Sequence, residues 1–125
     1  MEEKLRELSE AIAAARPAAV EGVKIALGEL TLVVPASEIV GLVTLLRDDP
    51  KFGFVSLIDV CGVDYPEREK RFDVVYHLLS PTKNVRIRLK VMTDEVTPVP
   101  SITGVLEGAD WFEREAYDLY GILFT

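Results

Sequence analysis

From Asp110 to Phe124 the chain reads DWFEREAYDLYGILF, and Asp110, Glu113, Arg114, Glu115 and Asp118 are crowded there among aromatic and aliphatic residues. Carboxylates at this density could serve as a general acid and a general base, provided that two of them converge on one bond. Along a helix advancing about 100° per residue they diverge. Phe112, Ala116, Leu119 and Leu123 form one apolar arc, bordered by Glu113 on one side and Glu115 on the other. Trp111, Arg114, Asp118 and Ile122 form a second arc, on which Arg114 and Asp118 have the i, i+4 spacing of an ion pair. A solvated face accounts for Glu113 and Arg114 but not for Trp111 and Ile122. The spacing therefore predicts a helix over 111–120 docked on both sides, one arc against its own domain and the other against a partner.

Other reactive side chains are sparse. His77 sits mid-strand among apolar neighbours and beside Arg88, a setting that keeps an imidazole neutral. Cys61 is the only cysteine, lies in an apolar run and has no CxxC partner, so a buried, inert thiol is expected. Arg86, Arg88 and Lys90 alternate along one strand face without the aromatic residues that stack on nucleic-acid bases. Acids from the last helix or from a partner protein are their expected counter-charges. No GxGxxG or GxxxxGK[ST] loop and no Gly-x-Ser-x-Gly elbow occurs. No cofactor or metal site is expected in this chain. An acid–base enzyme using Glu113 or Glu115 with His77 stands as the alternative of a different class.

Composition bounds the setting in which these residues act. The 125 residues include 14 basic and 21 acidic side chains, a net charge of −7 that opposes nonspecific binding to nucleic acid or anionic lipid. With 49% hydrophobic and 28% charged residues, a single globular domain over 1–125 is expected. No apolar run reaches the roughly 20 residues of a membrane helix. The acidic start MEEKLRELSEAIAAA lacks the pattern of a secretory leader.

The elements that position the candidates follow from periodicity. Leu5, Leu8, Ile12 and Ala15 mark a helix over 2–15, ended by Pro17. Strands are expected at 23–27 and 30–34 around a Gly28-Glu29 turn, followed by a helix from Pro35 with Ser37 as N-cap and Ile39, Leu42, Val43 and Leu46 as its apolar stripe. Residues 54–65, apolar on both faces, read as a central strand. Strands at 71–79 and 85–92 pair so that Phe72, Val74, Tyr76 and Leu78 share a core face with Val85, Ile87, Leu89 and Val91. The opposite face sets Val75, His77 and Leu79 beside Arg86, Arg88 and Lys90, a greasy and cationic surface that calls for an acidic cover. Asp110 is the expected cap of the last helix and Gly121 its C′ residue. The expected fold is α+β: a small mixed or antiparallel sheet, made of an N-terminal hairpin plus a three-stranded meander, packed with about three helices.

Three stretches, DYPEREKRFDVVYHLLS, NVRIRLKV and WFEREAYDLYGILF, together resemble the thirty-kilodalton subunit of bacterial NADH–quinone oxidoreductase, respiratory complex I. The resemblance runs from about Glu29 to Phe124, and the string E-R-E-x-x-D-L-Y-G-I-x-F at Glu113 to Phe124 has the form of that family's signature. It implies a peripheral-arm subunit at the cytoplasmic face of the bacterial inner membrane, without direct membrane insertion. It also implies no cofactor in this chain, with FMN, iron–sulfur clusters and quinone held by partner subunits. The expected partners are other peripheral-arm subunits of complex I, above all the large hydrogenase-like subunit and the quinone-module iron–sulfur subunit. The expected contacts are Trp111, Glu113, Arg114, Glu115, Asp118 and Ile122, with Arg86 and Arg88. Related subunits of membrane-bound hydrogenases share the pattern and form a second alternative. Family members continue past the position of Thr125 into a basic His-Pro-Asp-Leu-Arg-Arg type of segment, so the resemblance implies a chain trimmed at that end.

Overall fold

The computed structural model describes residues 2–125, which form three α-helices and one five-stranded sheet. In chain order these are α1 (Glu2–Ala15), β1 (Gly22–Ala26), β2 (Glu29–Val33), α2 (Ile39–Asp48), β3 (Ser56–Asp64), β4 (Phe72–Ser80), β5 (Val85–Thr93) and α3 (Ala109–Tyr120). The sheet order is β1-β2-β5-β4-β3, with β2 parallel to β5 and every other pair antiparallel. The expected α+β architecture is thus present, with the parallel β2–β5 ladder joining hairpin to meander. Among the described residues, no helix is long and apolar enough to cross a membrane.

Strand register follows side-chain alternation. Val74 pairs with Val91, Tyr76 with Leu89 and Leu78 with Ile87, and all six are buried. Leu30 and Leu32 of β2 extend the same face beside Ile87 and Leu89. One contiguous core joins this face to Leu5 and Ile12 of α1, to Ile39, Leu42, Val43 and Leu46 of α2, and to Ala109 and Ala116 of α3. The helices therefore form one layer on one side of the sheet. On the other side Val75 pairs with Lys90, His77 with Arg88 and Leu79 with Arg86, as the alternation requires. Arg86 and Met92 are exposed there, while His77, Leu79, Arg88 and Lys90 are half-buried.

Three expectations need correction. The strand through Cys61 is not central: β3 is an edge strand, paired only with β4. Its apolar residues serve a helix packed on one face, and the other face is left open. Ser37 lies inside a one-turn 3-10 helix, Ala36–Glu38, and makes no capping hydrogen bond to α2. Asp110 lies within the first turn of α3 rather than capping it, because the left-handed Gly108 (φ 86°) occupies the N-cap. A carboxylate there still favours the positive end of the helix dipole.

The charged turn between β3 and β4 is ordered by ion pairs. Arg71 donates twice to Asp64, at 2.9 and 2.7 Å, and once to Glu95 at 2.9 Å. Arg68 donates to Asp73 at 2.6 Å and stacks its guanidinium 4.1 Å from the Tyr65 ring centroid. Two-pronged arginine–carboxylate bonds fix geometry more than they add stability at such partly exposed positions. The Arg71 guanidinium also holds the Asp64 carboxyl below the usual aspartate range.

Two positions set backbone limits. The β1–β2 turn is Leu27-Gly28, one residue earlier than expected, and both residues have positive φ (55° and 75°), as a two-residue primed turn requires. Leu27 is 97% exposed, so its left-handed backbone is not offset by burial. Leu27→Asn is expected to stabilise the domain by about 0.5–1 kcal/mol, read as a higher urea midpoint at unchanged m-value. At Gly62 an added Cβ would lie 2.8 Å from Ile122 Cδ1 and 2.8 Å from Tyr120 Cδ2. Gly62→Ala should therefore force α3 off β3 and destabilise by about 1–3 kcal/mol, measured in the same titration.

Candidate functional site

Placement of α3 starts from its inward residues. Ala109, Glu113 and Ala116 recur at four- and three-residue steps and are buried, with Phe112 half-buried beside them. Small alanines let the helix approach β3 closely, and Gly62 offers the matching gap. Tyr120 closes the far end against Phe72, with ring centroids 6.3 Å apart and planes at 58°. Beyond Tyr120, Gly121 turns left-handed (φ 75°) and its amide returns to Tyr117 O. The tail then runs beside the connector, where the Val99 amide donates to Leu123 O at 2.8 Å and the Thr125 amide to Val99 O at 3.1 Å.

Glu113 supplies the polar anchor. Its carboxylate accepts from Ser101 Oγ at 2.7 Å and from the buried Ile102 amide at 2.9 Å. The connector contributes Val99, Ile102 and Leu106 to the core, so this one side chain ties α3 to residues the core already holds. Nearby, the Tyr76 hydroxyl stays protonated, since burial and then the negative charge of Glu113 raise its ionisation far above the tyrosine range.

The structure therefore redraws the expected docking surface. Glu113 and Ile122, both assigned to a partner interface, lie in the interior with 5% and 0% exposure. Leu119 and Leu123, assigned to the inner arc, are exposed. Two physical reasons account for the exchange. The helix ends at Tyr120, so helical phase cannot be carried past Gly121 to Ile122 and Leu123. Glu113 can be buried because its oxygens find two donors, and a hydrogen-bonded carboxylate escapes the full desolvation penalty.

Trp111, Arg114, Glu115, Asp118 and Leu119 form the outward face of α3, and all five are exposed. Among the described residues, Arg114, Glu115 and Asp118 make no ion pair, so the expected Arg114–Asp118 bridge is not formed. A tryptophan 68% exposed and a leucine 70% exposed flank these free charges.

Arg86 and Arg88 lie elsewhere, on the open sheet face. Arg88 Nη2 donates to Glu29 Oε2 at 3.0 Å, so its counter-charge comes from β2. The last helix cannot supply it, because α3 packs on the opposite side of the sheet. His77 is beside Arg88 as expected, and its imidazole is held below the ordinary histidine range, first by burial and then by the guanidinium. Cys61 is half-buried, and burial pushes its thiol upward, reinforced by Asp59. Sequence reasoning passed over Asp59, which pairs with His77 across the β3–β4 ladder; only the strand register brings them together. A Ser-x-x-Lys spacing, expected to be absent, is in fact present at Ser80-Pro81-Thr82-Lys83, but Ser80 is fully buried and Lys83 is exposed in the turn. A nucleophile is not presented there.

Nor is the acid–base alternative assembled. Glu113 faces the core near Tyr76, whereas His77, the next residue of β4, points to the open face. Glu115 stands on the outer side of α3. Neither glutamate meets the histidine.

Comparisons with known proteins show the family and the fold. The family described as "Respiratory-chain NADH dehydrogenase, 30 Kd subunit" matches residues 32–125. The whole chain is 64% identical to the NADH-quinone oxidoreductase C-subunit of Sinorhizobium medicae (strain WSM419), of which it covers 62%. It is 63% identical to the same subunit of Xanthobacter autotrophicus (strain ATCC BAA-1158 / Py2), covering 60% of that protein. The chain thus spans about three-fifths of the length of these curated relatives. In fold it is similar to a chain of the membrane-bound sulfane sulfur reductase, an archaeal respiratory membrane complex, with a TM-score of 0.81 over 97% of this chain and 70% of that one, at 23% identity.

The anchoring role of Glu113 has a direct test. Glu113→Ala leaves the buried Ile102 amide without an acceptor and should cost about 1–3 kcal/mol of stability, measured by urea denaturation near neutral pH. Glu113→Gln keeps one acceptor oxygen and should lose less. Equal stability of the wild type and both variants would remove the anchor.

Proposed function

Since the chain belongs to the respiratory-chain NADH dehydrogenase 30 kDa subunit family, we propose that it is a non-catalytic scaffold of the peripheral arm of a proton-translocating NADH:quinone oxidoreductase. In this reading the chain has no turnover of its own. FMN, iron–sulfur clusters and quinone belong to partner subunits, and the complex as a whole is the enzyme. The domain sits on the cytoplasmic side of the bacterial inner membrane through those partners. It docks the large hydrogenase-like subunit, and the quinone-module iron–sulfur subunit lies nearby.

The observation that carries this reading is the outward face of α3. Trp111 and Leu119 stand exposed around Arg114, Glu115 and Asp118, whose charges are unpaired among the described residues. An exposed tryptophan on a rigid helix is the kind of side chain that dominates binding energy once a partner pocket desolvates it. Free charges around it set register and discriminate between partners more than they add affinity. Glu113, inside the same helix, holds that face at a fixed angle to the sheet.

Co-purification with the large-subunit homologue tests the proposal. Trp111→Ala should weaken capture by roughly 30-fold or more, as expected when a central aromatic anchor is truncated. Asp118→Asn should weaken it less and flatten its salt dependence. Because both side chains are exposed, the isolated variants should melt within a few degrees of the wild type. Parallel losses in melting and in capture, or capture unaffected by either change, would overturn the assignment of this face.

A further inference from the structure

We propose that Asp59, Cys61 and His77 form a binding site for a divalent transition-metal ion of the zinc class on the open face of the sheet. The site stands apart from the docking surface of α3, which lies across the sheet from it.

The geometry comes from two neighbouring strands. Asp59 and Cys61 are two residues apart on β3 and so share a face, and His77 on β4 is the direct cross-strand partner of Asp59. An irregularity in register between Leu57 and Asp59 sets this pairing, and bulges of this kind re-aim side chains at strand edges. One carboxylate oxygen, the thiol sulfur and one imidazole nitrogen all lie within 4.8 Å of one another. Coordination of one ion requires these atoms to draw closer together by side-chain rotation.

Donor chemistry selects the ion. Oxygen, sulfur and nitrogen together suit a borderline-soft ion such as Zn²⁺, whereas Mg²⁺ and Ca²⁺ require all-oxygen shells. Three protein ligands leave a fourth position for water or for a group on a partner. Charge closes as well: a carboxylate and a thiolate together neutralise the divalent ion, while the adjacent Arg88 is already paired with Glu29 at 3.0 Å. Coordination forms a sulfur–metal bond and breaks the S–H bond, releasing one proton to solvent.

Because the chain has one cysteine and one histidine, spectroscopy assigns its ligands without ambiguity. The 125-residue chain, stripped with chelator, should bind one Zn²⁺ by calorimetry and with Co²⁺ develop a thiolate-to-cobalt absorption band. Cys61→Ser should abolish the band, and Asp59→Asn and His77→Gln should each weaken Zn²⁺ binding about tenfold or more. Zinc should raise the melting temperature of the wild type by several degrees and leave that of Cys61→Ser unchanged. Absence of the band in the wild type, or Zn²⁺ affinity unchanged across the variants, would overturn the site. Should Cys61→Ser fail to fold, His77→Gln and Asp59→Asn carry the same decision.

Discussion

The orientation of α3 depends on a carboxylate that has left water. Glu113 is buried at the inner face of the helix, and its two oxygens accept from Ser101 Oγ and the Ile102 amide. A polar group in such a place is tolerated only when it is hydrogen-bonded, and removing one partner of such a contact is far more costly than never having made it. The same bonds give the connector a fixed partner, so that Val99, Ile102 and Leu106 can enter the core in a segment without regular structure. The backbone bonds between Val99 and the tail then tie the start of the connector to the residues that follow the helix. Pinned at Glu113 and abutting Gly62, α3 has little freedom to roll, and Trp111, Arg114 and Asp118 are presented at one angle.

A second constraint is the one-sided layering. All three helices and the connector share one core on a single face of the sheet. The other face must then meet water with whatever its strands carry, and it does so with half-buried aliphatic stems under charged heads. Lys90 stands opposite the buried Val75 and Arg86 opposite the half-buried Leu79 in this way. The outer edge strand, β3, carries Asp59 on this side and an irregular register, both of which discourage pairing with another chain's strand.

Much of this was legible in the sequence, and the residues show why. Alternation through Phe72–Leu78 and Val85–Val91 reproduced the register because one buried face leaves no freedom to slip. The first helix and the stripe of Ile39, Leu42, Val43 and Leu46 were equally secure, since each repeats at helical steps. Three-dimensional competition decided the rest. An apolar run such as residues 54–65 reads alike for a central strand and for an edge strand under a helix; sheet order is a long-range property. A helical wheel treats Glu113 as a border residue, because it cannot know that Ser101 and Ile102 will meet the carboxylate from another segment. Asp59 escaped notice for the same reason: its neighbour His77 is distant in sequence and adjacent only through the ladder.

The two faces of the domain therefore differ in kind, and the difference bears on which residues carry function. The signature string from Glu113 to Phe124 mixes both classes. Of its specified positions, Glu113, Tyr120, Gly121 and Ile122 hold the helix to its own domain, whereas Arg114, Glu115, Asp118 and Leu119 do nothing for the fold that burial or hydrogen bonding reveals. The same division runs through DYPEREKRFD, where Asp64, Arg68, Arg71 and Asp73 are consumed by ion pairs within the β3–β4 hairpin. The signature in this chain thus divides between residues that position one helix and residues left unpartnered among the described ones, which are few enough to delimit a surface. That surface sets the exposed Trp111 and Leu119 beside charges that make no ion pair among the described residues.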